Sequence, residues 1–182
     1  MNEKITYVKV HDAELNKDIY LAQERLEAIR KQKSLEVISE HAGSELVGKK
    51  YEPLIPYFSE LEAEGAFVVV ADNYVTTEAG TGIVHQAPAF GEDDFRVLKA
   101  NGITALVCPV DLEGKFTDEV SDFAGVYVKD ADKDIIRKLK EEGKLYIQEV
   151  YQHSYPFCPR SDTPIIYRTI PSWYVKVEQI KE

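Results

Sequence analysis

The 182-residue chain carries 22 Lys and Arg against 32 Asp and Glu, a formal net charge of −10, with 44% hydrophobic and 30% charged residues. That balance is ordinary for a folded globular protein and excludes disorder as the main state. No run approaches the roughly 20 apolar residues that cross a bilayer, and the start MNEKITYVKV has no signal-peptide pattern, so a cytoplasmic protein without a membrane partner is expected. The acidic balance argues against non-specific nucleic-acid binding, which needs clustered Lys and Arg, unless another part of a larger protein supplies that affinity. Two cysteines, Cys108 and Cys158, allow at most one disulfide and so provide no disulfide framework.

In chain order, residues 5–10 alternate like a strand, 11–18 form a polar turn, and 19–22 read as a second short strand. Residues 24–33 follow as a helix, with Ala22, Leu26 and Ile29 at helical spacing, and 35–38 as a strand. The segment 44–56 mixes Gly48, Pro53 and Pro56 with apolar residues, which predicts short extended pieces between turns. The apolar, β-branched run 67–71 predicts a buried central strand, turned by Asp72-Asn73 into another at 74–77.

The stretch GTGIVHQAPAFGEDDF, residues 80–95, concentrates the polar chemistry. Gly80-Thr81-Gly82 lets backbone turn sharply or approach a ligand. A short strand is expected next, with Ile83, His85 and Ala87 on one face, ended by Pro88. A helix over 92–100 then opens on three acids, where the helix dipole favours carboxylates, and stops at Asn101-Gly102. With Leu98 centred on the inner face and about 100° per residue, Phe95 and Asp94 flank the centre while Glu92 and Asp93 point away. Asp94 is then either a first-turn carboxylate satisfied by free amides or a partly buried anion awaiting a cation. His85 is either a packed or surface histidine or the imidazole of a backbone-lined cleft.

Residues 103–110 predict a strand, 111–118 a hairpin-like loop around Gly114, 130–142 an amphipathic helix closed by Gly143, and 145–151 a last strand. The tail 153–182, with Pro156, Pro159, Pro164 and Pro171 among aromatics, reads as an extended arm. Strands outnumber helices without regular alternation, which predicts a β-rich α/β chain: a β-barrel-like body with peripheral helices.

Several chemistries are disfavoured. GTGIVH lacks the third glycine of a dinucleotide fingerprint and the Lys-Ser/Thr of a P-loop. His153 and Cys158 lack companions for a zinc site, so no metal is expected. Cys108 reads as a core residue rather than as the nucleophile of a pair with His85, and no Gly-x-Ser-x-Gly elbow occurs.

The run GTGIVHQAPAFGEDDF, preceded by DNYVTTEA, closely resembles the editing domain (CP1, connective peptide 1) of isoleucyl-tRNA synthetases, an insertion within a class I catalytic domain. Valyl relatives usually carry Lys in place of His85 and then a Pro-Ala-His-Asp run, a pattern the leucyl relatives share; Pro88-Ala89-Phe90-Gly91 sides with the isoleucyl branch. The tail HSYPFCPRSDTPIIYRTIPSWYVKVE resembles that branch where the insertion returns to the catalytic domain.

The resemblance implies an editing-domain body over 1–152 and a return arm over 153–182. It implies hydrolysis of valine from the 3′ end of mischarged tRNA(Ile), with His85 and Asp94 as the catalytic pair. Asp94 would hold the α-ammonium of the amino acid, a charge-assisted contact suited to anchoring a small ester. His85 would meet the terminal adenosine and exclude the cognate side chain, and Gly80, Thr81 and Gly82 would line the pocket. No cofactor is implied for editing, and ATP would serve only a catalytic domain absent from this chain, which lacks HIGH and KMSKS signatures. The remainder of the parent synthetase is an implied partner. The family's threonine-rich wall is expected upstream of Met1, and Thr76-Thr77 is a different element. The alternative is a non-catalytic insertion that binds the tRNA end or organises the parent protein, inactive alone without that wall. A free-standing hydrolase is disfavoured by the arm-like tail.

Overall fold

The computed structural model describes residues 1–150 and 152–181. It divides into two compact units, Met1–Pro88 with Glu92–Leu106, and Ala89–Gly91 with Val107–Glu182. The division at 106/107 therefore runs within the span 1–152 expected as one body.

The first unit is built on strand β1 (Thr6–Asp12), flanked by β2 (Lys17–Ala22) and β3 (Leu35–Ala42), both antiparallel to it. Alternation puts Tyr7 on one face of β1 and Val8 and Val10 on the other, yet all three are at most 1% exposed. Both faces of the strand are thus covered, as suits a central strand rich in aromatic and β-branched residues. Tyr7, Ala22 and Leu46 share a core cluster, with Ile5, Tyr20 and Val69 packed against it. The β1–β2 turn is closed by the buried Asp12, whose Oδ1 accepts the N–H groups of Glu14 and Leu15 at 2.9 and 3.0 Å.

After a 3-10 turn at Gln23–Arg25, helix α1 (Leu26–Arg30) buries Leu26 and Ile29. It is shorter than the expected 24–33, because RKQKS beyond Ile29 offers no apolar side chain to bury. Helix α2 (Gly43–Leu46) and a second 3-10 segment, Ser59–Glu64, fall where no helix is expected. Helix α3 (Glu92–Ala100) lies where the acids and the Asn-Gly stop place it.

The expected strands at 67–71, 74–77, 83–87, 103–110 and 145–150 do not form as strands; Val68 and Val110 take part only in isolated bridges, to Lys50 and Phe116. Apolar β-branched runs mark burial, but a ladder also needs a partner in register, which the run itself does not encode. Residue 151, the end of the last expected strand, and residue 182 of the arm lie outside the described residues. The three-stranded sheet is accordingly open, not closed into a barrel, and the architecture is mixed α/β.

In the second unit, Val110, Val120, Phe123 and Ala131 are buried, with the Phe116 and Phe123 rings 6.1 Å apart. The 111–118 loop is hairpin-like as expected, its Lys115 bridged to Tyr127. Helix α4 (Asp132–Glu141) ends before Gly143, whose φ of 63° suits a helix stop. The arm adds one short helix, α5 (Val177–Ile180), and a bridge between Phe157 and Pro164.

The turn at 80–82 is docked onto the sheet by its own carbonyls. Arg25 Nε donates to Gly80 O at 2.8 Å, Ala22 N–H to Thr81 O at 2.8 Å, and the Tyr7 hydroxyl to Gly82 O at 2.9 Å. Gly82 has φ of +72°, and a Cβ there would sit 2.5 Å from Ala22 Cβ; Gly80 has φ of +60° but nothing within 4 Å. Gly80→Ala is therefore expected to cost about 1 kcal/mol for its left-handed backbone. Gly82→Ala should cost about 1–3 kcal/mol more for the clash. Urea denaturation of the two variants beside the parent measures the difference, and equal losses would refute it.

Candidate functional site

The three acids of α3 meet different fates, and the difference builds the site. Glu92 is exposed. Asp93 is exposed and pairs with Arg96 one turn on, at 3.1 Å. Asp94 is half-buried and forms no ion pair among the described residues; its Oδ1 accepts the Tyr74 hydroxyl at 3.2 Å and its Oδ2 the Ala87 N–H at 3.0 Å. The helix sits about Val97, which is 1% exposed, rather than about Leu98, and Phe95 is 41% exposed. Centring on Val97 turns Phe95 outward, with Lys99 over its ring at 5.8 Å, but sets Asp93 about 40° and Asp94 about 60° from the centre, so the hydrogen bonds and not the wheel separate the two acids.

Around Asp94 the polar contacts continue. Gln86 Nε2 donates to the Tyr74 hydroxyl at 3.1 Å, while Gln86 Oε1 is shielded from solvent and accepts no hydrogen bond within the described structure. Burial raises the pKa of the Tyr74 hydroxyl above its ordinary value; the Gln86 bond works against that shift, and the Asp94 charge adds to it. Tyr74 is therefore a proton donor throughout the neutral range.

The turn that carries Tyr74 is fixed to the same helix. Asp72 Oδ1 accepts the Tyr74 N–H at 3.0 Å, and Asp72 takes a two-pronged contact from Arg96, at 2.9 and 3.1 Å. The Arg96 guanidinium, with the Tyr74 amide, lowers the Asp72 carboxyl to about 2, and the two carboxylates it meets raise Arg96 above its ordinary range.

His85 lies in irregular chain and is exposed, so strand alternation does not orient it; among the described residues it makes no hydrogen bond to Asp94. Gly80 is exposed, Thr81 half-buried and Gly82 buried, with the carbonyls of all three engaged by the sheet and Arg25. The first unit thus brings Asp94, Tyr74, Gln86 and Ala87 together and leaves His85 outside that network. Ala89–Gly91 group with the second unit, where Thr169 N–H donates to Ala89 O at 2.8 Å.

Sequence reasoning missed Tyr74, Gln86, Asp72 and Arg96. The Asp93-to-Arg96 spacing was readable as a helical pair. The Asp72 contact to Arg96 spans 24 residues and had no local signal.

Elsewhere, Cys108 and Cys158 are free thiols. The Ser161 hydroxyl and the backbone amides of Ser161 and Arg160 hold the Cys158 thiol below its ordinary pKa. No cluster of three or more His, Cys, Asp or Glu suited to a metal ion occurs among the described residues. A cleft of about 330 Å³ in the second unit, lined by Asp111, Tyr127, Ile166 and Arg168, contains none of the residues singled out above. No helix among the described residues is long and apolar enough to cross a membrane.

Comparison with known proteins decides the family. The chain is 51% identical over 183 residues to the cytoplasmic isoleucine–tRNA ligase of Mus musculus, covering 98% of this chain and 14% of that protein. It is 51% identical over 180 residues to the isoleucine–tRNA ligase of Bdellovibrio bacteriovorus, covering 98% of this chain and 17% of the other. The chain belongs to the isoleucyl-tRNA synthetase family. The cytoplasmic ligase of Arabidopsis thaliana is 47% identical over 216 residues, with 100% of this chain and 18% of the relative covered. The chain therefore spans less than a fifth of the length of these synthetases. No family model matches it. Among solved structures, the crystal structure of GlLeuRS-CP1 superposes with a TM-score of 0.62 at 14% identity, over 84% of this chain and 77% of that one. That likeness fixes the fold of this synthetase segment as the CP1 kind.

The Asp72–Arg96 pair gives the synthetase segment a specific acid sensitivity. The folded-state pKa of Asp72, about 2, lies below its ordinary 3.8, so the pair stabilises fully above that value and its contribution is lost as pH falls towards 2. In thermal melts between pH 6 and pH 2.5, Arg96→Gln is expected to show a shallower acid decline than the parent chain. Parallel declines would refute this contribution.

Proposed function

We propose that this chain is the post-transfer editing domain of an isoleucyl-tRNA synthetase and hydrolyses the ester of Val-tRNA(Ile). The observation that carries the reading is Asp94, a half-buried carboxylate held on both oxygens by the Tyr74 hydroxyl and the Ala87 amide and, among the described residues, left without a cation. Such a fixed anion suits the α-ammonium of an aminoacyl ester, because a charge-assisted contact is strong where water is partly excluded. The need for a second site is energetic: one methylene is worth only about 1–3 kcal/mol in a hydrophobic pocket, isoleucine against valine being the established case.

In the reaction, water adds to the ester carbonyl carbon and the bond to the ribose oxygen breaks. That oxygen takes a proton, and valine leaves as the free amino acid. Asp94 anchors the ammonium so that the carbonyl is presented to water, which is catalysis by positioning. His85, exposed at the edge of the motif, meets the terminal adenosine and limits the size of side chain admitted. Gly80, Thr81 and Gly82 form the adjoining backbone wall. Neither a metal nor a cofactor is required by this chemistry, and ATP is used only in the part of the synthetase outside this chain. The partners are the 3′ end of valine-charged tRNA(Ile) and the remaining body of the enzyme, in the cytoplasm, as the names of the mouse and Arabidopsis relatives suggest.

A second reading, a non-catalytic insertion that binds the tRNA end, is favoured by one observation: His85 and Asp94 share no hydrogen bond that would make them an acid–base pair. One assay separates the two. In the full-length synthetase, Asp94→Ala is expected to slow release of labelled valine from Val-tRNA(Ile) by about 30-fold or more, as loss of a charge-pairing partner implies. Isoleucylation should stay near the parent rate. Unchanged valine release would overturn the role of Asp94, and no release from the parent enzyme would favour the binding insertion.

A further inference from the structure

We propose that Tyr74 is the positioning residue of this site, holding the Asp94 carboxylate in the orientation that receives an ammonium group. The proposal rests on the editing reading above and concerns a residue outside the glycine turn and the histidine motif.

An ionised carboxylate only accepts, so in the 3.2 Å contact the Tyr74 hydroxyl must donate to Asp94 Oδ1. With its single proton committed, the Tyr74 oxygen is left as an acceptor, and Gln86 must face it with Nε2, at 3.1 Å. The amide thereby turns Oε1 to a place where, within the described structure, it is shielded from solvent and accepts nothing. A buried acceptor without a partner costs free energy and calls for a reason. The opposite amide orientation would bring a carbonyl oxygen against the tyrosine and compete with Asp94 for its proton. The orphaned oxygen is the cost of keeping that proton on the carboxylate.

Tyr74 is also the member of the network that ties the carboxylate to a second element. Ala87 N–H holds Oδ2 at 3.0 Å, so Tyr74 supplies the other point that fixes the carboxylate plane. The Tyr74 backbone is in turn held by Asp72, and Asp72 by Arg96, two residues beyond Asp94 on α3. The circuit Asp94, Tyr74, Asp72, Arg96 closes on one helix. Removing the hydroxyl opens it at the carboxylate while leaving the aromatic ring and the Asp72–Arg96 pair in place.

The test uses the full-length synthetase and two non-hydrolysable probes: the valyl amide of 3′-amino-3′-deoxyadenosine, and its α-hydroxy counterpart, which lacks only the ammonium. The parent enzyme should prefer the amino probe, and Asp94→Ala should abolish that preference. Tyr74→Phe is expected to reduce the preference about tenfold or more, the range of one hydrogen bond to a charged group. Its affinity for the α-hydroxy probe should stay within about twofold of the parent's, which also reports that the variant is folded. A parental preference in Tyr74→Phe, or equal loss of both probes, would overturn the positioning role while leaving the editing reading standing. Absence of any preference in the parent enzyme would overturn the ammonium reading itself, and the positioning role with it.

Discussion

The turn that opens residues 80–95 depends on a close approach of backbone to sheet. Gly82 lies against Ala22 at the end of β2 with no room for a Cβ, and its carbonyl receives the hydroxyl of Tyr7, a fully buried residue of the central strand. Because Tyr7 is also part of the core cluster, the turn is joined to the best-packed part of the first unit. A rigid sheet below and a left-handed backbone above fix where the chain enters the motif. Gly80, with open space around it, supplies only the turn.

The acids of α3 illustrate how one local signal divides into three physical roles. All three are favoured in a first helical turn by the same dipole. Asp93 is spent on Arg96, and that guanidinium also holds Asp72, so a surface ion pair becomes a link between the helix and the 72–74 turn. Asp94 is held by the Tyr74 hydroxyl and the Ala87 N–H and, among the described residues, pairs with no cation. A carboxylate that is fixed yet not neutralised is what a binding site for a small cation requires, and it distinguishes Asp94 from its neighbours more firmly than spacing does.

The comparisons and the geometry bear on different levels of the functional reading. Identity of about one half to isoleucine–tRNA ligases, over nearly the whole chain, assigns the family. The likeness to a CP1 structure at 14% identity assigns the fold. Substrate and chemistry rest instead on the arrangement around Asp94, where the family resemblance and the hydrogen-bond network point to the same residue. His85 lies outside that network and shares no hydrogen bond with Asp94, as the proposed contact to the tRNA end allows.

The sequence by itself determined the helices whose signals are local: α3, opened by three acids and stopped at Asn101-Gly102, and α4, stopped at Gly143. It singled out Asp94 through a wheel centred on Leu98, whereas the helix buries Val97, so that choice gains its support from the hydrogen bonds and not from the spacing. It also marked the three strands of the sheet, expected at 5–10, 19–22 and 35–38 and formed at Thr6–Asp12, Lys17–Ala22 and Leu35–Ala42, but not which other runs would stay unpaired. The runs 67–71 and 103–110 look like strands because burial and strand formation share one residue vocabulary, while pairing depends on segments far away in the chain. For the same reason barrel closure was expected and an open three-stranded sheet formed, and His85 was given a strand face it does not have. Only the tertiary structure brought Tyr74 to Asp94 and Asp72 to Arg96, contacts across 20 and 24 residues. Interactions at that separation are set by how the whole unit packs, and no short window of sequence contains them.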